Sequence, residues 1–144
     1  MKSGTTSLHH WLMLSEQISM LKGESHFFNH ADRFEGGEKE YRKFLPERSG
    51  SSLIGDDTPT YSYLPDVPQR IYRLEPNVKI LWVLRDPLER SVSQYWHAVR
   101  RGKEHREINH AFIDEMNGRT KDIWKKYIER SFYLEQIERY LQLF

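Results

Sequence analysis

Val78-Lys79-Ile80-Leu81-Trp82-Val83-Leu84, followed at once by Arg85-Asp86-Pro87, is the stretch on which the fold turns. The seven residues form a nearly continuous apolar, β-rich run of strand length, the pattern of a buried parallel strand. The helix after it has the clearest start signal in the chain. Asp86 is a good N-cap, Pro87 suits the first helical position, and Glu89 completes a capping box. Leu88, Val92, Tyr95, Trp96 and Val99 supply its expected buried stripe, and Gly102 ends it.

Working outward, Val67, Ile71 and Leu74 predict a helix over 66–74 that stops before Pro76. Ser52–Gly55 reads as a short strand, with Thr58-Pro59 after it. Between Ala31 and Ser52 the chain is polar and broken by Gly36-Gly37 and Ser49-Gly50, a connection with room for a short helix over 38–45. Near the start, Leu8, Trp11, Leu12, Leu14, Ile18 and Leu21 recur at three- and four-residue steps, which predicts one amphipathic helix over 5–21 closed by Gly23. Downstream, 107–144 is helical in pattern, with a break at Gly118 and a last apolar face of Leu134, Ile137, Leu141 and Phe144. Strand, helix and strand in this order argue for an α/β fold with parallel pairing.

The bulk composition bounds the function. At 144 residues the chain is one domain or part of one. It is 38% hydrophobic and 30% charged, enough for a packed core. A net charge of +1 is too small for a general polyanion binder, so no nucleic-acid partner is expected and any anion site must be local. With no cysteine, disulfides and cysteine-based zinc sites are excluded. The seven histidines match no strong metal signature, and no metal is expected. No apolar run approaches the ~20 residues of a membrane span, and the first residues lack a signal-peptide core. A phosphate loop in an α/β fold follows a strand, yet only Met1 precedes Lys2, and the chain stops on a helix at Phe144. The expectation is a partial domain, incomplete at both ends.

Four motifs carry chemistry. Lys2-Ser3-Gly4-Thr5-Thr6-Ser7 opens a helix, whose first amides are unpaired and whose dipole favours an anion. Gly4 lets the backbone come close, Lys2 adds charge, and the hydroxyls add donors. The lysine precedes the glycine, so this is not a Walker A loop. In Arg85-Asp86-Pro87-Leu88-Glu89-Arg90-Ser91-Val92-Ser93, Arg85 sits just past a strand's carboxyl end, where open α/β sheets bind ligands, and Ser93 lies two turns into the helix. A guanidinium and a hydroxyl converging on one phosphate are chemically reasonable, and so is a surface arginine paired with Asp86 or Glu89. Glu24-Ser25-His26-Phe27-Phe28 offers a carboxylate and an imidazole, either able to act as a general base, beside aromatic rings that would partly desolvate Glu24. Asp56-Asp57-Thr58-Pro59-Thr60-Tyr61 reads as a turn that could line a cleft.

In this order the motifs resemble the PAPS-dependent sulfotransferases, above all the branch of heparan sulfate sulfotransferases and their bacterial relatives (PAPS is 3′-phosphoadenosine-5′-phosphosulfate). The resemblance runs from Lys2 to Phe144 and implies a P-loop-like, three-layer α/β fold with a parallel sheet flanked by helices. Residues 2–7 resemble the 5′-phosphosulfate loop and Lys79–His97 the strand and helix that bind the 3′-phosphate through residues 85–93. By resemblance, Lys2 bridges the leaving oxygen, and Ser3, Gly4, Thr5, Thr6 and Ser7 line the phosphosulfate. Arg85 and Ser93 hold the 3′-phosphate, and Glu24, with His26 as the other candidate, takes the acceptor's proton. The implied products are 3′,5′-ADP and a sulfated hydroxyl or amine on a small-molecule or carbohydrate acceptor. Gly23 and Asp57 stand where the family often has lysines, and the family's later adenosine-closing segment has no counterpart up to Phe144. A cytoplasmic setting is the default expectation, with the Golgi lumen the alternative for a membrane-anchored animal relative. Two rival readings stay open: a P-loop nucleotide kinase or NTPase, with Asp86 as its magnesium residue, and an inactive nucleotide-binding fragment.

Overall fold

The structure is a computed structural model that describes residues 2–46 and 53–144. The Ser49-Gly50 break and the expected strand start at Ser52 lie outside the described residues. The chain forms two compact units, a sheet unit of Gly4–Trp82 with Gln136–Phe144, and a helical unit of Val83–Glu135 with Lys2 and Ser3.

In the sheet unit, α1 (Thr5–Leu12) is shorter than expected, because the chain leaves the helix and forms β1 (Ile18–Met20). Ile18 and Leu21 keep helical spacing, but their segment pairs in parallel with β2 (Leu53–Gly55), Ile18 opposite Leu53 and Met20 opposite Gly55. A nonlocal ladder partner has overridden local periodicity. Gly55 packs closely there: a β-carbon on it would stand 2.4 Å from the Met20 sulfur, so the Met20 side chain would have to move. The crossover between the strands carries a 3-10 turn at Phe27–Asn29 and two short helices, α2 (Ala31–Glu35) and α3 (Gly37–Tyr41). α4 (Val67–Leu74) forms as its spacing predicts.

The run Val78–Leu84 is a correction. It is not a strand, because among the described residues no strand is hydrogen-bonded to it. It is not buried on both sides either. Val78, Ile80 and Trp82 pack against the core while Leu81 is 67% exposed. The alternation is that of extended backbone with one face covered. The core it meets consists of Phe27, Phe28, Tyr61, Val67, Ile71 and Tyr140. Tyr140 lies on α7 (Tyr133–Leu141), and its hydroxyl donates to the Tyr61 carbonyl at 2.8 Å. The expected leucine face of this helix is not the buried one. Leu134 and Leu141 are exposed, whereas Gln136 and Tyr140 are buried.

In the helical unit, α5 (Pro87–Arg100) begins as read from sequence, with Asp86 Oδ1 accepting the Glu89 amide at 2.9 Å. Its buried face is Arg90, Ser91, Gln94, Tyr95 and Ala98, while Leu88 and Trp96 of the expected stripe are exposed. Arg90 turns the helix this way. Its guanidinium is 2% exposed and bonds Ser131 Oγ and the Tyr127 carbonyl, so solvent is not available to satisfy it. α6 (Ile108–Met116) adds Ala111 to a core with Tyr95, Ala98 and Tyr127. The Glu115 carboxylate at its end accepts the amides of Tyr127, Ile128 and Glu129.

Glu104 is the most consequential polar group of this unit. At 3% exposure it accepts from the Arg106 guanidinium, the amides of His105 and Arg106, and the Tyr127 hydroxyl. The Arg106 bond, against the opposing cost of burial, holds its carboxyl at about 2 instead of 4.5. A depressed folded value adds stability that is complete above the unfolded value and is lost as pH falls toward the folded one. Glu104→Gln is therefore expected to cost on the order of 3 kcal/mol near pH 7, and much less near pH 2.5. Urea unfolding at the two pH values measures this. An equal deficit at both would show that the charge of Glu104 contributes nothing.

Candidate active site

The first motif closes on the start of α1. Gly4 is the N-cap, with φ 98° and ψ 14°, a left-handed conformation that suits glycine. Its carbonyl accepts the amides of Ser7 and Leu8, at 3.0 and 3.2 Å, and no side chain caps the helix. The amides of Thr5 and Thr6 thus precede the first helical bond and stay available to a ligand. Ser3 and Thr5 are half-buried, while Gly4, Thr6 and Ser7 are exposed. Lys2 also has a positive φ, 66°, unusual for a residue with a side chain.

The second motif reaches the first within the helical unit. Arg85 Nη1 donates to the Lys2 carbonyl at 3.4 Å, across a sequence separation of 83. The same guanidinium holds Glu89 Oε2 at 3.0 Å, so the surface-pair reading is realised too. Arg85 and Glu89 are 41% and 63% exposed, so their pair is weak and can yield to a phosphate. Ser93 is half-buried on α5. Asp86, the candidate magnesium residue of the NTPase reading, spends its carboxylate on the helix cap.

The third and fourth motifs meet in the sheet unit. Glu24 Oε2 lies 3.0 Å from His26 Nε2. On the other side of the ring, Nδ1 is 2.9 Å from Asn29 Nδ2 and 3.4 Å from Thr60 Oγ1. In the tautomer whose Nδ1 accepts the Asn29 amide, the Nε2 proton faces Glu24. Glu24 Oε1 has no partner among the described residues. The expected desolvation of Glu24 is corrected. Its side chain is 47% exposed, because Phe27 and Phe28 turn into the core and do not shield it.

Beneath this pair, Asp56 accepts from Ser25 Oγ at 2.6 Å, Thr58 Oγ1 at 2.7 Å and Tyr61 OH at 3.1 Å. Burial and the Asp56 charge push both the Tyr41 and Tyr61 phenols up. The His26 amide donates to Thr58 Oγ1 at 3.3 Å, so the Asp56–Thr58 turn sits directly against the Glu24–His26 segment. Asp57 pairs with His9 of α1 at 3.1 Å. The structure therefore joins Lys2 with Arg85, and Glu24 with His26, Asn29 and Thr60. Asn29 and Thr60 were not singled out from sequence. Asn29 three residues after a histidine in a tight turn was a usable signal, whereas nothing local pointed to Thr60.

The family model for the sulfotransferase domain matches residues 1–144. The chain belongs to that family. This sulfotransferase domain is 29% identical over 147 residues to mouse heparan sulfate glucosamine 3-O-sulfotransferase 5, covering 99% of the chain and 42% of the relative. It is 36% identical over 103 residues to the membrane-associated sulfotransferase kil1 of Dictyostelium discoideum, covering 69% of the chain and 22% of that protein. Among solved structures, a sulfotransferase from Alicyclobacillus acidocaldarius matches with a TM-score of 0.87 at 27% identity, over 99% of the chain and 65% of the other. The chain thus spans about two fifths of the length of its heparan sulfate relative. The α/β architecture expected from the alternation of elements holds, with a parallel pair flanked by helices. Among the described residues no helix is long and apolar enough to cross a membrane.

Proposed function

We propose that this sulfotransferase domain carries the donor site and the base for sulfuryl transfer from PAPS to a hydroxyl or amine, with a carbohydrate as the favoured acceptor class. The observation that carries the reading is the Arg85–Lys2 contact, which brings a candidate 3′-phosphate residue to the candidate phosphosulfate loop. A helix start with free amides, a lysine, and an arginine held by an exposed pair and by the Lys2 carbonyl suit a ligand with anionic groups at both ends. The exposed carboxylate of Glu24 and the partly exposed one of Asp57 favour a neutral acceptor over a densely sulfated chain.

Bound PAPS supplies a sulfuryl group on a phosphate leaving group. Lys2 and the amides of Thr5 and Thr6 stabilise the charge that builds on the leaving oxygen, with Ser3, Gly4 and Ser7 completing the loop. Arg85 and Ser93 hold the 3′-phosphate. Glu24 Oε1 removes the acceptor proton while His26 Nε2–H steadies Oε2.

Thermal unfolding with 3′,5′-ADP, AMP and magnesium-ATP tests the reading. Stabilisation by 3′,5′-ADP well beyond that by AMP supports it, and stabilisation by magnesium-ATP alone supports the NTPase reading. Arg85→Ala is expected to weaken 3′,5′-ADP by roughly 10–100-fold in calorimetry and AMP by less than about twofold. Equal losses would reject the 3′-phosphate role of Arg85.

A further inference from the structure

The contacts of Lys2 with Arg85 and of Glu24 with His26 lie in different compact units. Within the sheet unit, one ion pair runs from α1 to the turn beside the base. His9 Nδ1 lies 3.1 Å from Asp57 Oδ2, with the side chains 18% and 26% exposed. Both values are well below those of the Arg85–Glu89 pair, so water and salt screen the contact less. Nδ1 carries a hydrogen in the imidazolium and in one neutral tautomer, so either form can donate to the carboxylate.

Each end of the pair is tied to one part of the chemistry. His9 stands about one helical turn beyond Thr5 in α1, and the amides of Thr5 and Thr6 at the start of that helix are the ones open to a ligand. Asp57 is flanked by two residues that grip the base segment. On one side Asp56 accepts from Ser25 Oγ at 2.6 Å, and on the other Thr58 Oγ1 accepts the His26 amide at 3.3 Å. Ser25 is the residue between Glu24 and His26. The turn is itself stiff, since Asp56 Oδ1 accepts both the amide and the hydroxyl of Thr58, at 3.1 and 2.7 Å. A shift of α1 against this turn moves the Thr5 and Thr6 amides relative to Glu24, and the His9–Asp57 contact opposes that shift. All of these residues belong to one compact unit.

We propose that His9 and Asp57 are positioning residues that fix the distance between the amides at the start of α1 and the carboxylate of the base. They act through α1 and through the Asp56–Thr58 turn, not on the reacting atoms. The inference rests on the donor role of the α1 start and the base role of Glu24 proposed above. In-line transfer needs the attacking oxygen and the leaving oxygen held on opposite sides of one sulfur. An error in that separation lowers turnover while leaving each ligand its own contacts.

The test is turnover of the whole protein at saturating donor and acceptor, beside 3′,5′-ADP affinity by calorimetry, for His9→Leu, Asp57→Ala, the double variant and His9→Asn. His9→Leu and Asp57→Ala are each expected to lower kcat about 5–20-fold, with 3′,5′-ADP affinity within about twofold of the parent. The double variant should lose no more than either single one, since both break the same contact. His9→Asn should keep most of the turnover, because the asparagine amide nitrogen takes the place of Nδ1 and still donates to Asp57. A pair that merely held the fold together would lower the melting temperature and leave kcat of the folded protein unmoved. Should Asp57→Ala not fold, His9→Leu against His9→Asn decides, and equal turnover in the two overturns the proposal. Unchanged kcat in both single variants, or losses that multiply in the double one, also overturn it. If Glu24→Gln is still inactive in that case, the donor and base reading stands without the clamp. A parent protein that transfers no sulfuryl group removes that reading, and the positioning role with it.

Discussion

Glu24→Gln is expected to lower kcat for sulfuryl transfer in the whole protein by about 10²–10⁴-fold while leaving donor affinity nearly unchanged. The substitution keeps size and shape. A glutamine oxygen still accepts from His26 Nε2, which lies 3.0 Å from the carboxylate, so the local geometry survives. What is lost is the ability of the second oxygen to take a proton. His26→Asn is expected to cost less, about tenfold, because His26 steadies the carboxylate and need not receive the proton itself. Turnover at saturating donor, measured for both variants beside 3′,5′-ADP affinity, separates the roles. Near-normal kcat in Glu24→Gln together with a collapse in His26→Asn would transfer the base to His26.

Lys2→Ala is expected to lower kcat by about 10²–10³-fold, the effect of removing one group that stabilises developing negative charge. A complication is the Lys2 backbone at φ 66°, a conformation that costs a residue with a side chain of order 1–3 kcal/mol. Lys2→Gly removes the charge and relieves that conformation at once. Both variants should lose turnover alike, while Lys2→Gly should melt no lower than the parent. A Lys2→Gly protein that retained turnover would mean that the ammonium of Lys2 is not needed for the leaving group.

The parts of the site that could be read from the chain are those whose partners are close in sequence. Gly4 and the helix start at Thr5 need only their own neighbours, as does the Asp86 cap, whose acceptor and donor are three residues apart. The Glu24–His26 pair is likewise local, two residues apart at a tight turn. What surrounds these groups was not legible. Thr60 meets His26 from a distant segment, 34 residues on. The exposure of Glu24 depends on which way the Phe27 and Phe28 rings turn, and that is settled by Tyr61, Val67 and Ile71 packing against them.

By itself the sequence determined the helix boundaries with short-range signals, the α/β class and membership of the sulfotransferase family. The boundaries rest on hydrogen bonds between near neighbours, and the class and family on the order of elements and motifs along the chain. Only the tertiary structure decided that Ile18–Met20 is a strand, that Val78–Leu84 is extended backbone with one covered face, and that α5 buries Arg90 in place of Leu88. The physical reason is common to all three. A ladder partner for Ile18 at Leu53, a core for one side of Ile80 and Trp82, and a hydroxyl and a carbonyl for Arg90 are supplied from distant positions. Burying a polar group with its partners in place, or pairing a strand, outweighs the local periodicity that predicted otherwise.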